Sequence, residues 1–401
     1  MKILQINAVN NIRSTGRTTL ETSVFLEENK HESFVAYASG TPSVRNKKIG
    51  TNIDHKIHGF LSRLSGKQAY FSKSETRNLL EYISGIKPDV VHLRNLHANY
   101  ININILLNYL AVNDIPTVVT LHDCWFYTGK CTHYTVDNCF KWKTECDNCP
   151  RLKKDNPSWF LDRTNEMYFD KKKNFKSIRR LAVVGVSDWI TNEAKMSFLS
   201  NATILKRIYN WIDLEKFKPV QIGNFKKALD IEGKYVILGI ASQWNEEKGL
   251  SKFIDLAKHV SDDTVILLIG NIDNDIVLPP NILSIRETHD IEELVKYYSL
   301  ADVLLNLSLE ESFGKVTAES LACGTPAIVL NSTASPELIG EGCGIVINNN
   351  NMEKILNSIA KIKDNGKRNY SDNCIAFAKS NFAKEDRLND YLNLYKQIIS
   401  T

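Results

Sequence analysis

Residues 303–330 read VLLNLSLEESFGKVTAESLACGTPAIVL, and the order of apolar and polar segments in this stretch predicts the type of sheet. An apolar run comes first, a polar loop and a helix-like segment follow, and a second apolar run, Ala327–Leu330, closes the stretch. Two buried strands joined by a helix predict a parallel βαβ unit. In parallel sheets ligands bind at the carboxyl ends of the strands, so the loop between strand and helix is a candidate binding site.

The same alternation runs through the whole chain of 401 residues. Strand-like runs form two series, one from Lys2–Ala8 to Thr203–Arg207 and one from Tyr235–Ile240 to Gly344–Ile347. Residues Asn210–Val220 interrupt the pattern between the two series. The sequence therefore predicts an α/β protein with two doubly wound, Rossmann-like domains that face each other across a cleft.

The two series also set the expected domain boundaries. We place an N-terminal domain at residues 1–209 with a cysteine-rich insertion at 124–150, a C-terminal domain at 210–385, and a helix at 386–401 that crosses back to the N-terminal domain. With 43% hydrophobic and 24% charged residues, the composition excludes a largely disordered or collagen-like chain. No apolar run approaches the roughly 18 residues of a membrane-spanning helix, and Met1–Asn7 reads as a strand, not a signal peptide. We therefore expect a cytoplasmic protein.

Basic residues concentrate in one segment of a chain whose net charge is only +4. Residues 151–180 hold ten Lys and Arg against four Asp and Glu, a net charge of +6. This segment is either a solvated helix face or a docking surface for an anionic membrane or a phosphate-bearing acceptor. Residues 55–71 mix basic and large apolar side chains, which suits either a membrane surface or a helix packed on its own domain.

Four loops that follow strand-like runs carry candidate site residues. The loop after the first run contains Gly16 and Arg17 at the start of a helix, a place where backbone N–H groups meet anions. His122 and Asp123 follow the run Thr117–Leu121, and His97 follows a neighbouring run. A histidine at such an edge either bonds a substrate or moves a proton, unless it is a satisfied structural residue.

The other two loops belong to the second series. Lys248 stands before a helix that follows the first run of that series, where it can meet a diphosphate. In the opening stretch, Gly314 begins the helix, so the N–H groups of residues 314–317 can face phosphates. Glu319 lies one turn further on and can accept bonds from ribose hydroxyls, and Glu311 precedes the helix within reach of a sugar.

Taken together, these residues resemble the retaining glycosyltransferases of family 4, which have the GT-B fold. The glutamate pair spans Glu311 to Glu319, and residues 210–217, NWIDLEKF, resemble the interdomain segment with Trp211 in place of a glycine. The bacterial capsule, O-antigen and colanic-acid branch is indicated by residues 14–17, 95–97 and 121–131, together with the cysteines that follow. The resemblance covers nearly the whole chain.

The resemblance implies a role for each candidate. Three residues are implied to be catalytic. His122 would bond the donor sugar, and Lys248 would neutralise the leaving phosphates. Glu311 would lie near the anomeric carbon. His97 and Asp123 lie on the acceptor side. The implied donor-binding residues are Gly16, Arg17, Gln243, Arg286, Ser312, Phe313, Gly314, Lys315, Val316, Thr317 and Glu319. Gln243 departs from the family, which often has an arginine there.

The implied reaction transfers a hexose-type sugar from a nucleoside-diphosphate donor, UDP in preference to GDP, to a lipid-linked or oligosaccharide acceptor. No cofactor or metal is expected for catalysis, because Lys248 and the helix that begins at Gly314 are expected to stabilise the charge on the leaving diphosphate. The partners implied are the donor, the acceptor and a peripheral contact with the cytoplasmic face of the inner membrane, but no nucleic acid.

Four cysteines, Cys131, Cys139, Cys146 and Cys149, lie in the insertion after Asp123. In a cytoplasmic protein this set favours a structural Zn²⁺ over disulfides, with reduced or redox-active thiols as the other option. Three other functions stay open: a non-catalytic glycan- or nucleotide-binding protein on a GT-B scaffold, a nucleotide-sugar epimerase of the same fold, and a zinc-dependent nucleic-acid-binding protein. The last leaves the second domain unexplained.

Overall fold

The computed structural model describes residues 1–42, 44–288, 290–349 and 351–401. The chain forms two compact units. The first contains residues 1–208 and 388–401, and the second contains residues 209–387. Within the described residues, no helix combines the length and the apolar character needed to cross a lipid bilayer.

The first unit is built on a parallel sheet in the order β3-β2-β1-β4-β5-β6-β7. Its strands are β1 (Lys2–Asn10), β2 (Glu32–Gly40), β3 (Asn46–Lys48), β4 (Val90–Leu93), β5 (Thr117–Leu121), β6 (Leu181–Gly185) and β7 (Ile204–Arg207). Its helices are α1 (Arg13–Glu28), α2 (Asn52–Ser65), α3 (Lys73–Ile86), α4 (Ile103–Val112), α5 (Thr164–Ser177) and α6 (Asp188–Lys195).

The second unit repeats this plan with the order β10-β9-β8-β11-β12-β13. Its strands are β8 (Tyr235–Gln243), β9 (Thr264–Asn271), β10 (Ile282–Ile285), β11 (Val303–Asn306), β12 (Ala327–Leu330) and β13 (Gly344–Ile347). Its helices are α7 (Phe225–Ala228), α8 (Leu250–Leu256), α9 (Ile291–Leu300), α10 (Lys315–Ala322), α11 (Met352–Asn365) and α12 (Arg368–Phe382). A last helix, α13 (Lys384–Ile399), starts in the second unit and continues in the first from Leu388 onward.

Burial explains why these runs became central parallel strands. Every residue of β4, β5 and β11 is buried, as expected for strands covered by helices on both faces. Each sheet reverses its direction of growth once, between β1 and β4 in the first unit and between β8 and β11 in the second. The predicted doubly wound α/β class is confirmed, and each reversal leaves a crevice at the carboxyl edge.

His92 shows how α13 is fastened to the first sheet. Its ring bonds Tyr395 Oη through Nδ1 and Thr120 Oγ1 through Nε2, both at 2.8 Å, and it stacks on Tyr391. Burial, followed by the nearby Arg94 and His122, holds the pKa of His92 well below its ordinary value. This histidine is therefore a neutral core residue that joins β4, β5 and α13.

Candidate active site

Two predicted catalytic residues meet at the reversal point of the second sheet. Because β8 and β11 are neighbours, the loops that follow them run side by side, and Leu309 N–H donates to the Glu247 carbonyl at 2.9 Å. Lys248 Nζ donates to Glu311 Oε1 at 2.7 Å. Their side chains are 35% and 18% exposed, so the pair is open to solvent. The chain thus places a cation and a carboxylate together where a ligand is expected.

A tight turn holds Lys248 in this position. The Asn245 side chain accepts a bond from Lys248 N–H at 2.9 Å and caps a short 3-10 helix over Glu246–Lys248. Gly249 follows with φ +80°, and a Cβ there would lie 2.8 Å from the Leu307 Cβ. Only glycine combines that left-handed backbone with so close an approach to the neighbouring loop.

Glu311 is braced by the loop after β12. Its N–H donates to Thr333 Oγ1 at 2.8 Å, and its carbonyl accepts from Ala334 N–H at 3.2 Å. Thr333 has φ +48°, a backbone conformation that is uncommon for a β-branched residue. Sequence reasoning missed Thr333, although its place just after a strand was an available signal.

Helix α10 starts at the same edge. Gly314 is its N-cap residue, with φ +91°, and no side chain in the described ranges caps the helix. Phe313 is buried against the rings of Tyr209 and Phe382, which anchors the turn before the helix. Ser312, Lys315 and Val316 are half-buried around this start, and Thr317 is buried with Oγ1 accepting from Asn306 Nδ2 at 3.1 Å. An uncapped helix N-terminus attracts an anion.

Glu319 lies inside this helix and is only 5% exposed. Tyr298 Oη donates to Glu319 Oε2 at 2.8 Å, and the Tyr298 carbonyl accepts from Thr325 Oγ1 at 2.6 Å. A buried carboxylate is costly unless it is bonded, so Tyr298 both satisfies the carboxylate and sets its orientation. Tyr298 is a second residue that sequence reasoning missed, because nothing local in the sequence links it to Glu319.

The remaining predicted donor residues lie further along the same edge. Gln243 ends β8, is exposed, and donates through Nε2 to Asp273 Oδ1 at 3.0 Å. Arg286 follows β10 and is also exposed. Beside it, Glu287 Oε2 accepts from Asn271 Nδ2 at 3.1 Å. Gln243 is a neutral amide, and Lys248 is a cation that the structure places directly against Glu311 at this reversal point.

The sequence analysis placed Gly16 at the start of a helix in the first unit. In the structure α1 begins at Arg13, so Gly16 lies about one turn inside the helix. A Cβ at Gly16 would lie 3.1 Å from Asn11 N and 3.3 Å from the Asn10 carbonyl carbon. The glycine therefore lets α1 pack closely on the backbone that leads into it. Arg17 is half-buried beside it, and the helix N-cap, Ile12, has no side-chain cap among the described residues.

His97 and Asp123 come together at the carboxyl edge of the first sheet. His97 Nε2 lies 2.9 Å from Asp123 Oδ2, and Trp125 N–H donates to Asp123 Oδ1 at 2.9 Å. Burial raises the pKa of Asp123, but His97 and the Trp125 N–H outweigh it, and the net pKa lies below its ordinary value. The structure thus pairs the two residues predicted for the acceptor side.

His122 faces a buried arginine that the sequence reasoning did not single out. His122 Nε2 lies 3.4 Å from Arg94 Nη1, and because a guanidinium only donates hydrogen bonds, Nε2 is the acceptor in this contact. Arg94 is fully buried and donates to Gln5 Oε1 at 3.1 Å and to Thr22 Oγ1 at 3.0 Å. Its position directly after β4 was the available signal.

The four cysteines of the insertion line one small cavity. Cys131 Sγ lies 3.8 Å from Cys149 Sγ, and Cys146 Sγ accepts from Gly129 N–H at 3.2 Å. Hydrogen bonds from the Cys131 side chain and the Arg151 backbone N–H, followed by the charge of Lys130, lower the pKa of Cys149 to about 7. Burial raises the pKa of Cys146 to about 12. Across the described residues, no three His, Cys, Asp or Glu side chains are placed to hold a metal ion. Zinc stays a prediction.

Two family profiles together match most of the chain. The profile described as "Glycosyltransferase Family 4" matches residues 15–216, about half of the chain. The chain belongs to glycosyltransferase family 4. A second profile, "Glycosyl transferases group 1", matches residues 221–381, the range that contains Lys248, Glu311 and Glu319. The family predicted from the sequence is confirmed.

A curated relative and two solved structures are similar to most of the chain. The chain is 21% identical over 348 residues to the putative colanic acid biosynthesis glycosyl transferase WcaC of Escherichia coli K12, covering 84% of this chain and 83% of the relative. A glycosyltransferase from Rickettsia africae superposes with a TM-score of 0.70 and 16% identity, over 99% of this chain and 98% of that one. Anabaena HepE in complex with UDP-glucose gives 0.67 and 15%, over 99% and 100%. These likenesses confirm the predicted GT-B fold class.

Proposed function

We propose that this family 4 protein is a retaining, metal-independent hexosyltransferase. It moves a hexose-type sugar from a nucleoside-diphosphate donor, UDP in preference to GDP, to a lipid-linked or oligosaccharide acceptor in the synthesis of a bacterial surface polysaccharide. The observation that carries the proposal is the 2.7 Å pair of Lys248 and Glu311, just before the uncapped start of α10. A cation and a helix N-terminus at a sheet reversal point suit a diphosphate.

The comparisons support this choice of donor and product. Anabaena HepE has been solved with UDP-glucose, and the Escherichia coli relative is named for colanic acid biosynthesis. UDP is therefore the first donor to test, and a surface polysaccharide is the proposed destination of the sugar.

In the proposed reaction, the bond between the anomeric carbon and the diphosphate breaks while a bond from the acceptor oxygen forms on the same face of the sugar. The acceptor proton passes to the departing phosphate oxygen. Lys248 and the first N–H groups of α10 stabilise the negative charge that develops on that oxygen. These groups supply the positive charge that a divalent cation supplies in other transferases, which is why we propose a metal-independent reaction.

Each glutamate has a separate task in this proposal. Glu311 holds Lys248 in place before the donor binds, and afterwards its carboxylate stabilises positive charge on the sugar ring near the anomeric carbon. Glu319, fixed by Tyr298, bonds the ribose hydroxyls. In the first unit, His122 bonds the donor sugar, and the His97–Asp123 pair receives the acceptor.

A thermal-shift titration with UDP and GDP, with and without Mg²⁺, tests the proposal. A ligand at 100 times its Kd stabilises a protein by about 2.7 kcal/mol, so binding is easily seen. We expect UDP to raise Tm without Mg²⁺ in the wild type and in Lys258→Met, a surface lysine whose side chain is 64% exposed. Lys248→Met should lose the response. If no nucleotide raises Tm, the assignment of the donor site is wrong.

A second candidate function is a non-catalytic nucleotide-binding protein. Gln243 favours it, because this residue bonds Asp273 at a place where the family often has an arginine for the leaving group. Both candidates predict UDP binding. Only the transferase consumes UDP-sugar and releases UDP in the presence of an acceptor, so chromatographic quantification of UDP separates them.

A further inference from the structure

Helix α2 turns apolar side chains to solvent. Ile53, Ile57, Phe60 and Leu64 are spaced by three or four residues and are 69%, 53%, 51% and 43% exposed. The buried side of the same helix consists of His58, Gly59 and Ser62. Helices of water-soluble domains normally show the opposite arrangement, with the apolar stripe facing the core.

The polar side of α2 is firmly held against the first unit, so the outward apolar side is not a packing accident. His58 Nδ1 lies 2.7 Å from Ser72 Oγ, and its ring makes an edge contact with Phe71 at 5.5 Å. Thr51 and Asp54 form a capping box at the start of the helix, and Gly66 ends it with φ +73°. The rotation of the helix about its axis is therefore fixed.

A second segment extends this surface. Trp159 N–H donates to the Arg63 carbonyl at 2.8 Å, and the Trp159 ring meets Phe60 edge-on at 5.6 Å. The next two residues, Phe160 and Leu161, are 72% and 43% exposed. We call the whole set the apolar face; it comprises Ile53, Ile57, Phe60, Leu64, Trp159, Phe160 and Leu161. A contiguous apolar surface of this kind marks an interaction site.

Cations frame the apolar face. Lys56 and Arg63 are exposed on α2, four residues before and three residues after Phe60, where they flank the apolar stripe. The exposed Lys153 donates to the Trp159 carbonyl. The acidic residue of the helix, Asp54, is engaged in the cap through Thr51 N–H at 2.7 Å. Large apolar side chains ringed by Lys and Arg complement a lipid surface whose headgroups are negatively charged.

We propose that the apolar face docks the first unit on an anionic lipid bilayer. Its aromatic and aliphatic side chains enter the boundary between headgroups and acyl chains, while Lys56, Arg63 and Lys153 contact the phosphates of the headgroups. Docking would give the enzyme access to an acceptor that is anchored in the membrane, and in this respect it rests on the proposed function.

Co-sedimentation with vesicles tests docking without any sugar transfer. One set of vesicles contains phosphatidylcholine alone, and the other contains phosphatidylcholine and phosphatidylglycerol in equal amounts. We expect binding only to the anionic set, with weaker binding at high salt. Lys56→Gln with Arg63→Gln should lower the partition constant on the order of fivefold for each charge removed. Arg77→Gln, an exposed arginine on α3, is the matched control.

The apolar part is tested by Ile57→Ser with Phe160→Ser, since both side chains are more than half exposed and the fold should tolerate the change. Val112→Ser, 74% exposed on α4, is its control. Binding lost in the double variant and kept in the control, with unchanged Tm, supports the proposal. Wild-type protein that stays in the supernatant would overturn the proposal. Vesicle binding that the double variant retains would also overturn it, and the apolar face would then be assigned to self-association. UDP-induced stabilisation reports separately on the donor site.

Discussion

Lys248 Nζ lies 2.7 Å from Glu311 Oε1, and this ion pair joins two loops that are 63 residues apart in the chain. The loops meet because β8 and β11 are neighbours in the sheet, although two α-helices, a short 3-10 helix and two strands separate these strands in the sequence. An ion pair at such an exposed edge contributes at most about 1 kcal/mol to stability. Its position therefore matters more for the ligand than for the fold.

Separate substitutions of the pair should divide binding from chemistry. Lys248→Met is expected to weaken UDP binding and to lower transfer, because the leaving phosphates lose their cation. Glu311→Gln is expected to keep UDP binding and to lower kcat by a factor of about 100 or more. Calorimetric titration with UDP and steady-state rates measure the two effects. Equal loss of UDP binding in both variants would contradict this division.

The Tyr298–Glu319 bond should connect the donor site to stability. Tyr298→Phe keeps the ring and removes the hydroxyl that donates to Glu319, so a buried carboxylate loses a partner, at a cost of about 1–3 kcal/mol. UDP affinity should fall as well, because the carboxylate loses its fixed orientation. Urea denaturation and UDP titration measure both. Tyr297→Phe, whose hydroxyl bonds Glu293 in the same helix, is the control and should leave UDP affinity unchanged.

Gly249 should be the least replaceable residue of the turn that carries Lys248. In Gly249→Ala, a residue with a Cβ would have to adopt a positive φ, and that Cβ would lie only 2.8 Å from the Leu307 Cβ. We therefore expect the free energy of unfolding to fall by more than about 1 kcal/mol and the rate of sugar transfer to decrease. Gly233→Ala is the control, since its φ is +72° but nothing lies within 4 Å of the added Cβ. Thermal unfolding compares them, and equal losses would show that the contact with Leu307 is unimportant.

The His97–Asp123 pair should make stability depend on pH at the acid end. The pKa of Asp123 is lowered in the folded protein, so its stabilising contribution is present above the unfolded pKa of about 4 and is lost as pH falls through the folded value. Asp123→Asn should therefore lose less stability than the wild type between about pH 5 and pH 3. Urea midpoints measure this, with exposed Asp372→Asn as the control. Parallel curves for Asp123→Asn and the wild type would refute it.

The cysteine cavity gives a direct test of the predicted zinc. The four thiols line one cavity, although no three of the described side chains are placed to hold a metal ion. The 3.8 Å between Cys131 Sγ and Cys149 Sγ matches the separation of two thiolates on a tetrahedral zinc with bonds of about 2.3 Å. We expect about one zinc per chain by elemental analysis of protein purified without chelators. Cys149→Ser should lower the zinc content, and Cys323→Ser, in the second unit, should not. Protein that contains no zinc and has full activity would contradict the prediction of a structural zinc.

The sequence predicted more of the fold than of the site. Runs such as Val303–Asn306 could be identified as strands because a strand that is buried on both faces consists of consecutive apolar residues. That pattern is visible in the local sequence. Arg94, Tyr298 and Thr333 were missed because each acts through a partner on another element. The predicted start of α1 was also misplaced. Gly16 is required because α1 packs closely against the backbone around Asn11, and it does not mark the start of the helix.

The two doubly wound units, the family and the strand ends where polar residues collect could all be predicted from the sequence, because hydrophobic period and motif spacing are properties of neighbouring residues. The contacts among those residues became visible in the folded protein: Lys248 with Glu311, Tyr298 with Glu319, His97 with Asp123 and Arg94 with His122. The tertiary structure also shows that α2 turns its apolar side outward. Strand order and helix rotation are set by packing over the whole unit, and a local sequence pattern does not contain that information.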